Sequence, residues 1–240
     1  MFYEKPFDYF LERIRNNQHF RYSRFNDGEL TAVIGKSPQG NNCDGHIYFP
    51  DMGKQLKDVL LNYKYSEDYI LEAFDYWYKI LPHIKRILDE LKETNDDLQF
   101  LNTDFIRIMH EQESNKYMEL LEIIKTKNVV IVGPTYLQGL NKYFNFRYID
   151  VPLKNCYTEI DRIVDDVKKI SDVESDVFFL FSASMPANII IDKFDDNRNT
   201  YLDWGSVWDT FFVSREFSFI ARRSSSNKTE IIQKYKNYLI

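Results

Sequence analysis

Cysteine is nearly absent: only Cys43 and Cys156 occur in 240 residues, in unrelated surroundings. Two isolated thiols make neither a disulfide framework nor a metal-ligand set, which points to a reducing compartment. A basic excess is missing too. Thirty-one lysines and arginines face 37 acids, for a formal charge of −6, with the signs mixed along the chain. Nucleic-acid binding needs a basic face or stripe, so the expectation is no nucleic-acid partner. No apolar run approaches a membrane span, and the opening Met1-Phe2-Tyr3-Glu4-Lys5-Pro6 lacks a basic region followed by an apolar one. A cytoplasmic location and no membrane span are therefore expected. The GxGxxG and GxxxxGK[ST] fingerprints are both missing, which disfavours ordinary dinucleotide and P-loop sites. No repeat and no boundary between independent domains is evident, so residues 1–240 read as a single domain. Nothing in the sequence bears on oligomeric state.

Apolar residues, by contrast, are plentiful. At 44% they support a sizeable core, and 19 Phe with 17 Tyr supply many rings that can line a cleft. Pro6 and the spacing of Phe7, Phe10, Leu11 and Ile14 predict a first helix. A strand over 20–25 follows, then a short helix with Leu30, Val33 and Ile34 on one face, closed by Gly35. Residues 35–50 read as a long loop carrying Asn42, Asp44 and His46; long loops inside compact domains are often functional, although Asp44-Gly45 also reads as an ordinary turn. Helical pattern dominates 51–94 and is read as a helical insertion. One stripe is Met52, Leu56, Val59 and Leu60. Ser66 is read as the cap of a second helix through Ile70, Phe74 and Trp77, interrupted at Pro82 before Ile84, Leu88 and Leu91.

Beyond residue 98 short apolar runs alternate with helices. Strands are expected at 98–101, 128–133, 146–150, 176–182 and 200–203, with helices through Tyr117–Ile124, after Pro134, over 158–170 and from Ser184. The rhythm predicts an α/β fold: a Rossmann-like, mostly parallel sheet with helices on both faces. In such sheets ligands bind beyond the carboxyl ends of the strands. Four polar spots fall there: Asp27/Glu29, Gly133-Pro134-Thr135-Tyr136, Ser182-Ala183-Ser184 and Asp203-Trp204-Gly205-Ser206. Helix N-termini at the second and third offer free N–H groups to phosphate. After residue 215 a basic stretch with Arg215, Arg222 and Arg223 reads as solvated surface, leading through serines to a helical tail at 215–240.

The stretch Arg24-Phe25-Asn26-Asp27-Gly28-Glu29 carries two readings. Acids two positions apart around a tight strand-to-helix turn can converge as hard oxygen donors for Mg²⁺ or Mn²⁺. Asn26 with Glu29 three residues on is also close to a capping box, with Asp27 at the positive end of the helix dipole. One residue set can serve both.

The same stretch resembles the Arg-Phe-Gly-Asp-Gly-Glu signature of the GT-D fold glycosyltransferases, first defined as a domain of unknown function. The segments from Asn42 to Pro50 and from Leu202 to Gly205 are similar to further elements of that family. Together with the βαβ rhythm, the likeness covers most of residues 20–212. Asn26 departs from the family's glycine, and Ser206 stands where histidine is expected. The resemblance implies sugar transfer from a nucleoside diphosphate donor, UDP-glucose or a relative, to a glycan or other acceptor. It implies that Asp27 and Glu29 hold Mn²⁺ or Mg²⁺ at the diphosphate, with Arg24 near the donor. For an inverting reaction, Asp203, Asp44 and His46 are candidate bases. A non-catalytic nucleotide-sugar binding module stands as the alternative. A Rossmann-like methyltransferase ranks below it, because its glycine-rich first loop is missing.

Overall fold

A computed structural model describes residues 1–35, 40–42 and 45–211. In chain order the elements are β1 (Phe2–Tyr3), α1 (Phe7–Arg15), β2 (Arg21–Arg24), α2 (Asp27–Ile34), α3 (Pro50–Asn62), β3 (Tyr69–Glu72), α4 (Asp75–Ile80), α5 (Pro82–Thr94) and β4 (Phe100–Leu101). Then come α6 (Phe105–Gln112), α7 (Ser114–Lys125), β5 (Asn128–Gly133), β6 (Arg147–Asp150), α8 (Ile160–Ser171), β7 (Val177–Phe181), α9 (Pro186–Asp192) and β8 (Thr200–Asp203). Short 3-10 helices occupy Thr135–Lys142, Cys156–Glu159 and Val207–Phe211. No described helix is long and apolar enough to cross a membrane.

The strands form one sheet in the order β1-β4-β3-β2-β8-β7-β5-β6, and every pairing is parallel. Parallel strands covered on both faces need apolar side chains on both, which is why β3, β7 and β8 are buried along their whole length. One core packs α2, α3, α5, α8 and α9 against the first face. A second core packs α1, α6, α7, Leu137, Leu140 and the Val207–Phe211 turn against the other. Gly53 allows the close crossing of α3 over α2, because a Cβ there would stand 2.3 Å from the Ala32 carbonyl oxygen.

The α/β class and the helices on both faces are as expected, and the sheet is parallel throughout. The segment 51–94 differs from its reading in one respect. It holds α3, α4 and α5, but Ile70 lies in strand β3, between β2 and β4, and not in a helix. Ser66 does cap, yet its hydroxyl accepts from Asp68 N (3.2 Å) and Tyr69 N (3.0 Å) in a turn that delivers a strand. Four buried residues in a row cannot be told from a helix segment by periodicity alone. The segment thus contributes to the sheet and is not a purely helical insertion. The expected helical tail at 215–240, with Arg215, Arg222 and Arg223, lies outside the described residues.

Candidate functional site

The chain after β2 passes to the first face as α2, whereas the chain after β8 passes to the second as the Val207–Phe211 turn. Neighbouring strands whose connections leave to opposite faces open a crevice at their carboxyl ends, the switch point where ligands of doubly wound sheets bind. Here the strands also part. The β2–β8 pairing ends at Tyr22↔Leu202, while β2–β3 continues to Arg24↔Glu72. Buried Asn188 of α9 takes over the freed backbone: Arg24 N donates to its Oδ1 (3.1 Å), and its Nδ2 donates to Arg24 O (2.7 Å).

Arg24 is the hub of this end of the sheet. Its Nη1 donates to Asp104 Oδ2 (2.5 Å), and its Nε lies 3.4 Å from Asp203 Oδ2. Its side chain is 14% exposed and that of Asp104 is fully buried. Burial works against the guanidinium's charge, but Asp104 and then Asp203 outweigh it and hold Arg24 firmly protonated. Asp104 is fixed in turn as the N-cap of α6, accepting from Arg107 N at 3.0 Å. Gly205 has φ +58°, and a Cβ on it would stand 2.0 Å from Arg24 Nη2. Only glycine leaves room for the guanidinium there. Asp203 Oδ1 accepts from Gly205 N (3.0 Å), and burial raises its carboxyl, with Arg24 opposing.

The two acids of the opening motif follow directly after β2. Helix α2 begins at Asp27, so Asp27, Gly28 and Glu29 form its first turn and not a loop before it. The expected convergence around a tight turn therefore does not arise from their spacing, because helical side chains two apart diverge. Gly28 is not needed for the backbone path. Its φ is not positive, and a Cβ would meet Met185 only at ordinary van der Waals distance. Glu29 supplies its half of the anticipated capping box, with Asn26 N donating to Glu29 Oε2 at 3.0 Å. The Glu29 carboxyl is pushed up to about 7, first by burial and then by the charge of Asp203, with Asp27 adding to it. Glu29 thus feels both walls of the crevice.

The remaining expected residues are distributed less tightly. Gly133 ends β5, where a Cβ would stand 2.5 Å from Leu137 Cδ1 and 3.3 Å from Ser182 Cβ; its lack of a side chain serves packing. Pro134 precedes a 3-10 helix, not an α-helix. The Thr135 hydroxyl donates to Asp150 Oδ1 (2.6 Å), Tyr136 donates to Asp209, and Ser182 Oγ donates to Gly205 O (2.7 Å). Ser184 holds a left-handed conformation, φ 55°, just before α9. His46 is anchored on the segment after β6, where its Nδ1 accepts from Asn155 N at 3.1 Å. Asp44 lies outside the described residues.

Three residues of the site carry no motif that marks them: Glu72, Asp104 and Asn188. Glu72 ends a strand whose pattern reads as helix. Asp104 follows a strand of two residues, and its only signal is its N-cap position. Among the described residues no group of three or more His, Cys, Asp or Glu side chains has metal-holding geometry.

These features define an α/β protein of the doubly wound type with an acid-rich crevice at its switch point. No family model matches the sequence, and no curated protein does. Solved structures give the fold a more particular place. The chain is similar to the highly conserved domain of unknown function 1792, described as having a distinct glycosyltransferase fold, with TM-score 0.64 and 18% identity over 85% of this chain and 78% of that one. It is also similar to a structure described as a new glycosyltransferase of this domain from Streptococcus sanguinis, with TM-score 0.62 and 16% identity over 86% and 82%. A selenomethionine-substituted structure of the same domain gives TM-score 0.63 and 17% identity. The resemblance read from Arg24 to Glu29 therefore holds at the level of the fold, which is the GT-D arrangement.

Proposed function

We propose that this chain is a metal-dependent glycosyltransferase that moves a sugar from a nucleoside diphosphate sugar, a UDP-hexose, to a glycan or other acceptor. One observation carries the reading. Glu29, in the first turn of α2, lies within electrostatic reach of Asp203 and Arg24 at the carboxyl ends of β8 and β2, in a fold shared with proteins described as glycosyltransferases.

Carboxylate oxygens are the ligand type a hard divalent cation takes. Mg²⁺ and Mn²⁺ are held in nucleotide sites by one or two carboxylates, with water and phosphate oxygens completing the shell. Glu29 sits among like charges that a cation would relieve, and Asp27 stands two residues away in the same helical turn. Asp27 and Glu29 would hold the ion. When bound, it would act as a Lewis acid on the departing diphosphate.

The chain's own residues would do the rest. The first turn of α2 presents backbone N–H groups toward an anion. Arg24 would hold Asp203 in place: its Nη1 donates to Asp104, its Nε lies 3.4 Å from Asp203 Oδ2 and its guanidinium lies against Gly205. Asp203 lies at the carboxyl end of β8 beside Arg24, and burial raises its proton affinity in the direction a base requires. His46 Nδ1 accepts from Asn155 N, which ties its ring to the segment after β6.

A non-catalytic nucleotide-sugar binding module on the same fold is the alternative reading. A thermal-shift panel of nucleoside diphosphates and their sugars, with and without Mn²⁺, coupled to an assay for released nucleotide, separates the two. The transferase reading predicts a Mn²⁺-dependent shift for one nucleotide and slow donor hydrolysis. A shift indifferent to EDTA, with no hydrolysis, would favour the module.

A further inference from the structure

Beneath the crevice lies a group that the proposed reaction does not use. Glu72 is fully buried at the end of β3, and among the described residues neither of its carboxylate oxygens has a hydrogen-bond partner. It stands in register with Arg24 on the adjacent strand, and Tyr22, two residues before Arg24, shares that face of the sheet. Among the described residues the Tyr22 hydroxyl is likewise buried without a hydrogen-bond partner. A buried carboxylate normally gathers two or three donors or a bound cation; a neutral acid needs far less.

The guanidinium of this cluster donates to neither Glu72 oxygen. Arg24 donates to Asp104, approaches Asp203, and packs on Gly205. The groups that act on Glu72 are Asp104 from the turn before α6, Arg24 from β2, Asp203 from β8 and Glu29 from α2, with Tyr22 nearby. Three of these are acids and one is a cation. An ionised Glu72 would add a second uncompensated negative charge to the chain of Asp104, Arg24 and Asp203, at a place that water does not reach. Burial, then Asp104, drives its proton affinity upward, with Arg24 opposing.

We propose that Glu72 is a positioning residue that carries a proton throughout the neutral range, so that Arg24 stays committed to Asp104 and Asp203 and is not drawn toward a third carboxylate. The inference rests on the Arg24 cluster and is independent of whether the crevice transfers sugar. It makes Glu72 part of the support beneath Asp203 and not a group that touches a ligand.

The sign of the pH dependence follows. In the unfolded chain Glu72 ionises at the ordinary carboxylate value, whereas in the folded protein it stays protonated. Folding therefore retains a proton that the unfolded chain releases, and stability falls as pH rises above that ordinary value. Glu72→Gln replaces the neutral acid with a neutral group of the same shape and removes that dependence.

The test compares the full-length wild type and Glu72→Gln by thermal unfolding from pH 5 to pH 8, with infrared spectra at pH 7. The expected result is a variant at least as stable as the wild type, with an advantage that widens as pH rises. A protonated-carboxyl C=O band present in the wild type should be lost in the variant. An advantage that does not change with pH, or identical infrared spectra, would overturn the proposal. So would failure of Glu72→Gln to fold, because an isosteric neutral amide must be tolerated where a neutral acid sits.

Discussion

Arg24→Ala is expected to destabilise the protein by about 3–5 kcal/mol, the cost of leaving a buried charge without its partner. The magnitude follows from what remains. Asp104 has no exposed side-chain surface, and its Oδ2 would lose the charged donor 2.5 Å away. Asp203, 7% exposed at the side chain, would lose the cation 3.4 Å away. Surface pairs such as Lys79–Asp75 are worth little, because water solvates each partner alone. Water cannot do that for Asp104. Arg24→Lys should fall between wild type and alanine, since one ammonium cannot serve two carboxylates in the fork geometry of a guanidinium. Urea unfolding at neutral pH measures both variants. Because the pairs are buried, added salt should change the difference little. An alanine variant of wild-type stability would show that Arg24 is not the hub described here.

Asp27→Ala and Glu29→Ala are expected to lower transfer by at least about a hundred- to a thousandfold, the usual cost of removing a preorganised electrostatic group. Both should leave the fold intact. Glu29→Ala gives up half of a capping box, a loss of about 0.5–2 kcal/mol. Asp27 loses only its favourable place at the helix N-terminus. Circular dichroism and unfolding curves separate stability from activity, and initial rates of nucleotide release supply the second readout. The pH dependence has a definite direction. Glu29 must ionise to hold a cation, and its carboxyl sits at about 7, so Mn²⁺ affinity should rise as pH passes through that value. Full activity in either variant would remove the metal from the mechanism.

Much of the sheet was legible in the sequence because its central strands are apolar on both faces. Asn128–Gly133 and Thr200–Asp203 match the expected runs residue for residue, and Val177–Phe181 lies inside its run. Such strands are bounded by turn residues and leave little room for another reading. Strand β3 escaped because Tyr69-Ile70-Leu71-Glu72 offers a short run that fits either period, and its acidic end disguises a buried position. The acids at 27 and 29 were legible as a pair, whereas their setting was not. Whether a helix starts at Asp27 or after Glu29 is a matter of one turn, and sequence signals place helix ends no more finely than that. Asp104 and Glu72 lay beyond reach for a different reason. Their importance comes from long-range convergence on Arg24, 80 and 48 residues away in sequence, and no local pattern records it. Gly205 shows the same effect from the other side. The requirement for glycine there is set by a guanidinium from the first part of the chain.

Calorimetric titration of UDP into the wild-type protein, in Mn²⁺ and again in EDTA, tests the metal-diphosphate crevice most directly. The expected result is saturable binding in Mn²⁺ that disappears in EDTA and is lost in both Asp27→Ala and Glu29→Ala. Binding of equal strength in EDTA, or binding that survives in those two variants, would contradict it.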